Sequence, residues 1–207
     1  MYRKFGKRLL DLALTIPALI LLTPWFALLA LMVRLKLGSP VLFRQQRPGL
    51  HGQPFTLLKF RTMSNACDAQ GILLPDAERL TPLGRLLRST SLDELPELFN
   101  VLKGEISLVG PRPLLMQYLG RYTLEQMQRH EVMPGLTGWA QVNGRNSITW
   151  EERFRLDVWY VHHVCLGLDL KIVLMTIWKV LRRESISQPG KATIEYFWGS
   201  LQENRNV

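Results

Sequence analysis

From Leu12 to Val33 the chain carries no charged residue, and Leu, Ile and Ala dominate the run. That length of apolar chain is enough for a membrane helix. Arg3, Lys4, Lys7 and Arg8 ahead of it resemble the n-region of a signal peptide. The apolar run is too long for one, however, and no small-residue cleavage site precedes Arg34 and Lys36. A single span should carry its basic excess on one side only. Basic residues at both ends fit better with both ends in the cytoplasm. Thr23 and Pro24 fall near the middle of the run, with Pro17 one to two turns earlier, and proline removes a backbone donor and clashes with the preceding turn. The pattern therefore predicts a re-entrant helix over residues 1–37 that breaks at Thr23-Pro24 and returns on the side it entered. An ordinary kinked span is the alternative.

Beyond Gly38 the pattern changes to short runs. Val41–Arg44 and Pro54–Arg61, on either side of a Pro/Gly turn, read as a β-hairpin. Lys59 and Arg61 share one face of its second strand and Leu58 and Phe60 the other; pattern alone favours a solvated face over a basic wall for phosphates. Residues 64–82 are polar and turn-prone, with a short helical piece, and Thr81–Arg88 forms a brief basic amphipathic helix. Residues 114–131 look helical, 134–145 read as a turn-rich loop with Asn143-Gly144 as a turn signal, and Thr149–Tyr160 reads as a charged helix. Leu168–Arg183 is a strong amphipathic helix that could lie in the membrane interface or pack on the core. The predicted fold is α/β but mostly helical: the re-entrant helix, a small β-hairpin and amphipathic interfacial helices around a single catalytic core at 38–187, with a peripheral tail at 188–207.

Composition adds a partner class. The 207 residues carry a formal charge of +9, which implies an anionic partner: nucleic acid, a phosphorylated ligand or anionic lipid. Cys67 and Cys165 form no metal or CxxC spacing and argue for a reducing compartment. There is no GxxxxGK[ST] loop, GxSxG elbow, HExxH or GxGxxG, and the four histidines have no ligand spacing. His162 and His163, being adjacent, point to different sides of a helix and read as structural.

What stands out is Ser91-Leu-Asp-Glu-Leu-Pro-Glu-Leu-Phe-Asn-Val-Leu-Lys-Gly104. Asp93 and Glu94 sit at the entrance of a short helix, where Ser91 with Glu94 makes a capping box or Asp93 itself is the cap. Taken alone, acids there favour a capping role. Their company argues for more. Lys59, Arg61, Arg85, Arg88, Arg112 and Arg145 lie on short segments that could converge on them. A carboxylate among cations is ionised and can act as nucleophile or Mg²⁺ ligand, and guanidinium forks suit the oxygens of a diphosphate. Prolines 111 and 113 fix the backbone on both sides of Arg112.

Long motifs now occur in order: Arg47-Pro-Gly, Lys59-Phe-Arg-Thr-Met63, Arg88–Gly104, Ser107-Leu-Val-Gly-Pro-Arg-Pro113, Pro134–Arg145 and Leu168-Asp-Leu-Lys171. On these the chain, to about Ser187, resembles the bacterial sugar transferases known as monotopic phosphoglycosyl transferases. The likeness is to the short form, nearest in kind to the diacetylbacillosamine-phosphate transferases of N-linked glycan pathways. Thr23-Pro24 stands where relatives often have Ser-Pro.

The resemblance implies a two-step reaction at the cytoplasmic face of the bacterial inner membrane. Asp93 would attack the β-phosphorus of a UDP-sugar, an N-acetylated one on the closest likeness, and release UMP. Undecaprenyl phosphate would then take the phosphosugar, as the first membrane step of glycoconjugate biosynthesis. Mg²⁺ is the implied cofactor, with Asp93 and Glu94 as its ligands and Lys59, Arg88, Arg112 and Arg145 as phosphate-binding residues. Membrane lipids are implied partners, nucleic acid is not, and the oligomeric state is open, a dimer being one option. Two competing readings are a basic membrane-surface or nucleic-acid module whose acids only cap, and an aspartyl phosphatase.

Overall fold

The computed structural model describes residues 2–144, 148–182 and 196–199. Helix α1 runs from Lys7 to Leu37 with Pro17 and Pro24 inside it. The expected break at Thr23-Pro24 does not interrupt the helix. The Thr23 hydroxyl donates to the Leu19 carbonyl at 2.8 Å, a back-bond that stays within the helix while favouring a bend.

The burial of α1 is inverted. Lys7, Asp11 and Thr15, one turn apart and therefore on one stripe, are buried, while Ile20, Leu21, Trp25, Leu31 and Leu35 are more than half exposed. Lys7 Nζ pairs with Asp169 at 2.7 Å. Asp11 accepts from Ser107 Oγ and the Leu108 backbone N–H, both at 2.9 Å. The basic residues read above as topology signals are thus also docking groups.

The hairpin is as expected. Strand β1 (Leu42–Pro48) pairs antiparallel with β2 (Pro54–Phe60), with Phe43 opposite Lys59. One face puts Phe60 against Leu29 and Val33 of the second half of α1. Helix α2 (Asp76–Arg79) sits in the polar segment and α3 (Pro82–Ser89) follows, capped by Thr81 Oγ1, which accepts from Gly84 N–H. A Cβ on Gly84 would lie 1.9 Å from the Thr62 carbonyl oxygen, so only glycine lets α3 approach the end of β2 this closely.

Helix α4 (Glu97–Lys103) ends at Gly104, whose φ of 81° is the left-handed cap that glycine adopts without strain. Buried Asn100 fastens it to the free edge of β2: its Oδ1 accepts from Leu58 N–H at 3.1 Å and its Nδ2 donates to Thr56 O at 2.7 Å. One side chain thus satisfies an edge donor and acceptor as a third strand would. At the other end of α4, Arg8 donates to the carbonyls of Val101 and Leu102 at 2.5 and 2.8 Å.

The ring of Phe26 lies 5.4 Å from that of Phe99 on the same helix. A straight helix would separate Arg8 from Phe26 by about 27 Å, whereas α4 is only about 10 Å long. Both halves of α1 therefore dock on one core.

Two regions differ from expectation. Residues 114–131 are not one helix: 3₁₀ turns at Met116–Arg121 and Gln128–His130 flank a short α5 (Leu124–Met127), because Thr123 and Gln126 form a capping box that starts a new helix there. The loop at 134–145 contains β4 (Gly135–Thr137) and α6 (Trp139–Asn143). Strand β4 pairs in parallel with β3 (Ser107–Val109), a pair too short to show a period in the sequence.

Helices α7 (Trp150–His163) and α8 (Leu166–Arg182) cover this second sheet, with Val109, Val142, Tyr160 and Ile172 as the packed centre. Buried Ile172 shows that α8 packs on the core; its Leu174, Ile177, Trp178 and Leu181 are more than half exposed.

The tail is not peripheral where it is described. Phe197 is fully buried among Tyr118, Tyr122, Trp150 and Phe154. Its backbone is held by Arg121, which donates to its carbonyl at 2.6 Å, and by Tyr118 OH, which accepts from its N–H at 3.2 Å. Phe197→Ala should therefore lower stability by about 3 kcal/mol, the scale of a buried aromatic truncated to alanine. Leu124→Ala, at a residue 91% exposed, should leave stability nearly unchanged; thermal unfolding of both in detergent measures the difference.

Candidate active site

The acidic pair is presented by a turn, not by a helix cap. Ser91 has φ 57°, a left-handed conformation uncommon for a side-chain-bearing residue, and makes no side-chain cap. Leu92–Glu94 then forms a 3₁₀ turn that leads through Leu95 and Pro96 into α4. The capping box expected of Ser91 and Glu94 is absent because Glu94 is engaged elsewhere. Lys59 Nζ donates to Glu94 Oε1 at 2.7 Å, and Arg112 donates to the same oxygen.

Lys59 is consequently not on a solvated strand face. Its amine also lies 3.1 Å from Glu97 Oε1. That contact is off-line as a hydrogen bond, and Glu97 Oε1 is left buried without one. Glu97 is the residue that sequence reasoning missed. The signal was present: it stands three residues after Glu94, a spacing that keeps two side chains on one face of a helical stretch.

Arg112 is fixed through its backbone. The Pro111 carbonyl accepts from Gly135 N–H at 3.0 Å, and the Arg112 carbonyl accepts from buried Arg129 at 2.7 Å. Arg129 is held in turn by Asp157 at 2.8 Å, both side chains being almost fully buried. Arg88 donates from Nε to Thr62 Oγ1 at 3.1 Å, and its charge acts on Asp93.

The remaining predicted cations separate. Arg61 donates to the Ser39 carbonyl and exposed Arg85 to the Leu80 carbonyl, both at 3.1 Å. Arg145 lies outside the described residues. Arg47, noticed only as part of a motif, is a further cation whose charge is felt at Arg112 and Glu97; burial and then Arg112 push its guanidinium down to about 10.

The three acids experience different fields. Burial would raise the Glu94 carboxyl, but the charges of Arg112 and Lys59 outweigh it and hold the group well below the usual range. Asp93 is raised, first by burial and then by the Glu94 charge, against the pull of Lys59, Arg88 and Arg112. Burial lifts Glu97 as well, Lys59 opposes this and Glu94 adds to it, leaving the group at about 7. Lys59 is held above its ordinary value: burial works against its charge, and Glu94 and Glu97 prevail. The centre thus presents a firmly ionised acid, a neighbouring buried acid fastened to neither Lys59 nor Arg112, and a third acid poised between states, with fixed guanidinium groups around them. Such a set can bind a diphosphate and present an oxygen nucleophile to it.

Residues 2–183 match the family described as bacterial sugar transferase. A protein from Bacillus subtilis named uncharacterized sugar transferase EpsL is 58% identical over 194 residues, covering 94% of this chain and 96% of its own. Two proteins named UDP-glucose:undecaprenyl-phosphate glucose-1-phosphate transferase are each 40% identical to this chain. The one from Xanthomonas campestris is covered over 89% of this chain and 40% of its own length, and that from Caulobacter vibrioides over 86% and 71%. The chain thus spans nearly all of the Bacillus relative and less than half of the Xanthomonas one. With the match running through both halves of α1, the acidic turn and α8, this chain belongs to the bacterial sugar transferase family.

Proposed function

We propose that the protein moves a sugar 1-phosphate from a UDP-sugar to undecaprenyl phosphate through a covalent intermediate on Asp93. The observation that carries this reading is the division of labour within one turn. Glu94 is neutralised by Lys59 and Arg112, while the adjacent Asp93 is not fastened by either. In the first step an Asp93 carboxylate oxygen forms a bond to the β-phosphorus. The bond from that phosphorus to the bridging oxygen breaks, and UMP leaves with the electron pair. In the second step an oxygen of undecaprenyl phosphate attacks the same phosphorus, and the Asp93 carboxylate departs unchanged. Neither nucleophile has a proton to lose, in keeping with a centre that holds guanidinium groups and no histidine. Splitting the transfer in two lets one carboxylate serve two substrates of unlike solubility.

The residues fit Mg²⁺. Hard carboxylate oxygens from Asp93 and Glu94 would hold it, while Glu97 Oε1 already faces the Lys59 amine at 3.1 Å. When bound, the ion would supply charge neutralisation on the diphosphate oxygens. Arg88, Arg112 and Lys59 would orient those oxygens, with Arg145 as a further phosphate ligand.

The docking of both ends of α1 on one core supports a re-entrant, monotopic placement at the cytoplasmic face of the inner membrane. The exposed apolar side of α1 and of α8 would face lipid. In this reading the donor sugar is N-acetylated, and the product enters a glycoprotein, capsule, O-antigen or exopolysaccharide pathway. Relatives named for glucose or galactose make an unmodified hexose the competitor. A panel of UDP-sugars assayed for UMP release separates the two.

Three outcomes are expected. With a UDP-sugar labelled at the β-phosphorus, acid-quenched wild type should retain label on the protein and Asp93→Asn should not. Transfer by Asp93→Asn near the wild-type level sinks the nucleophile assignment. Single cysteines at positions 2 and 40, in a chain lacking Cys67 and Cys165, should both resist membrane-impermeant thiol reagents in intact cells; periplasmic labelling of either end refutes the re-entrant placement.

The third outcome concerns pH. The folded-state carboxyl of Glu97 is raised from 4.5 to about 7. Its neutral form therefore contributes stability fully present below about 4.5 and lost as pH rises through about 7. In EDTA, wild type should lose thermal stability relative to Glu97→Gln between pH 5 and 8. Parallel curves would show that Glu97 does not titrate there.

A further inference from the structure

A cavity of about 660 Å³ lies at the foot of α1, walled by residues 39–44 together with Arg61 and Asn65. Its Val41, Phe43 and Arg61 share the strand face of Lys59 in the acidic centre, and Leu42 and Arg44 come from the other face. Phe43 stands directly opposite Lys59, and the Val41 carbonyl accepts from Arg61 N–H at 2.9 Å. Strand alternation therefore puts Val41, Phe43, Lys59 and Arg61 on one side of the hairpin.

The two cations on that side are treated differently. Lys59 is matched by Glu94 and Glu97. Arg61 is only 7% exposed and, among the described residues, has no carboxylate at ion-pair distance. One of its N–H groups donates to the Ser39 carbonyl, while its Nε is buried with no acceptor. A guanidinium offers five donors, and a buried one lacking an anion is poised to receive one. Arg44 lines the cavity too.

The rest of the lining says what the anion carries. Pro40, Val41, Leu42 and Phe43 are apolar, with Phe43 45% exposed. Ser39 and Asn65 complete the lining. The cavity also begins where α1 ends, at Gly38, immediately beyond the exposed apolar Leu31 and Leu35. A ligand with its charge on Arg61 and an apolar chain leaving along α1 satisfies both walls. We infer that this cavity is the seat of the acceptor lipid, with the phosphate monoester of a polyprenyl chain on Arg61 and the first isoprene units against Val41 and Phe43.

This inference rests on the transferase reading above. It puts the acceptor phosphate on a residue whose backbone is about 7 Å from that of Lys59, two residues along an extended chain, without competing for the groups assigned to the diphosphate.

The test uses the full chain in lipid nanodiscs, with Cys67 and Cys165, both exposed, replaced by serine and with Asn65→Cys introduced as a reporter. Undecaprenyl phosphate should slow maleimide labelling of that cysteine, whereas undecaprenol and inorganic phosphate should not. Equal protection by inorganic phosphate would make this a plain anion site and overturn the lipid assignment; no protection by undecaprenyl phosphate would place the acceptor elsewhere.

In parallel, Arg61→Gln should raise KM for undecaprenyl phosphate about tenfold, the scale of one lost charge-assisted hydrogen bond, with KM for the UDP-sugar unchanged. Should Arg61→Gln fail to fold, exposed Arg44→Gln is expected to shift the same constant in the same direction by a smaller factor. An unchanged acceptor KM in the folded variants refutes the inference. If wild type transfers nothing to undecaprenyl phosphate from any UDP-sugar, the fault lies with the functional reading itself.

Discussion

The structure depends on one charge arrangement, Glu94 held between Lys59 and Arg112. A carboxylate taken from water is stable only if opposite charge is supplied at close range. Here the charge comes from two distant parts of the chain, the end of one hairpin strand and the loop after β3. Much of the fold serves to bring them together. Asn100 fixes α4 to the hairpin edge, so that the turn before it faces Lys59. Arg129, itself held by Asp157, donates to the backbone carbonyl of Arg112 from behind. With Glu94 satisfied in this way, Asp93 can remain buried beside it without either cation being fastened to it.

Helix α1 obeys the opposite rule from a soluble amphipathic helix. In its first half the polar stripe, Lys7, Asp11 and Thr15, is the buried one, and most of the helix's apolar residues, Leu29 and Val33 excepted, form the outer surface. In a lipid environment this is the favourable choice, since hydrocarbon outside costs nothing and polar groups find partners only inside. The two ends of the helix meet different surfaces of one core: charged and polar contacts at the start, and aromatic and aliphatic packing with Phe60, Leu87 and Phe99 at the end.

Legibility in the sequence followed the range of the signal. The apolar run, the hairpin and helices α3, α7 and α8 rest on local periodicity and turn chemistry, and could be read directly. The pair β3–β4 could not, because each strand has three residues and a period needs more. Phe197 sits in a three-residue aromatic run, Tyr196-Phe197-Trp198, too short to show a period, and what buries it is a ring of residues from 118 to 154 that no local pattern connects. In the site, Asp93, Glu94, Lys59 and Arg112 were named from motifs and do meet. Glu97 was overlooked because its partner is Lys59, far away in sequence, and its burial depends on the tertiary fold. Arg61 shares a face with Lys59 by alternation along the strand, a pattern that by itself favours a solvated face. Alternation gave its face correctly and could not give its lack of a counter-charge.

The Lys7–Asp169 contact joins residues 162 positions apart. A ribosome adding about 5–20 residues per second needs on the order of ten to thirty seconds to make that span. For that interval Lys7 on the inner stripe of the first helix has no partner yet in existence, whereas Asp11 waits only until Ser107 and Leu108 are made. The lipid surface, or whatever machinery receives the nascent chain, must shelter the lysine until α8 arrives. The final fastening of the earliest element is thus made by one of the latest, and chains stalled before α8 would hold an unsealed α1 at the membrane.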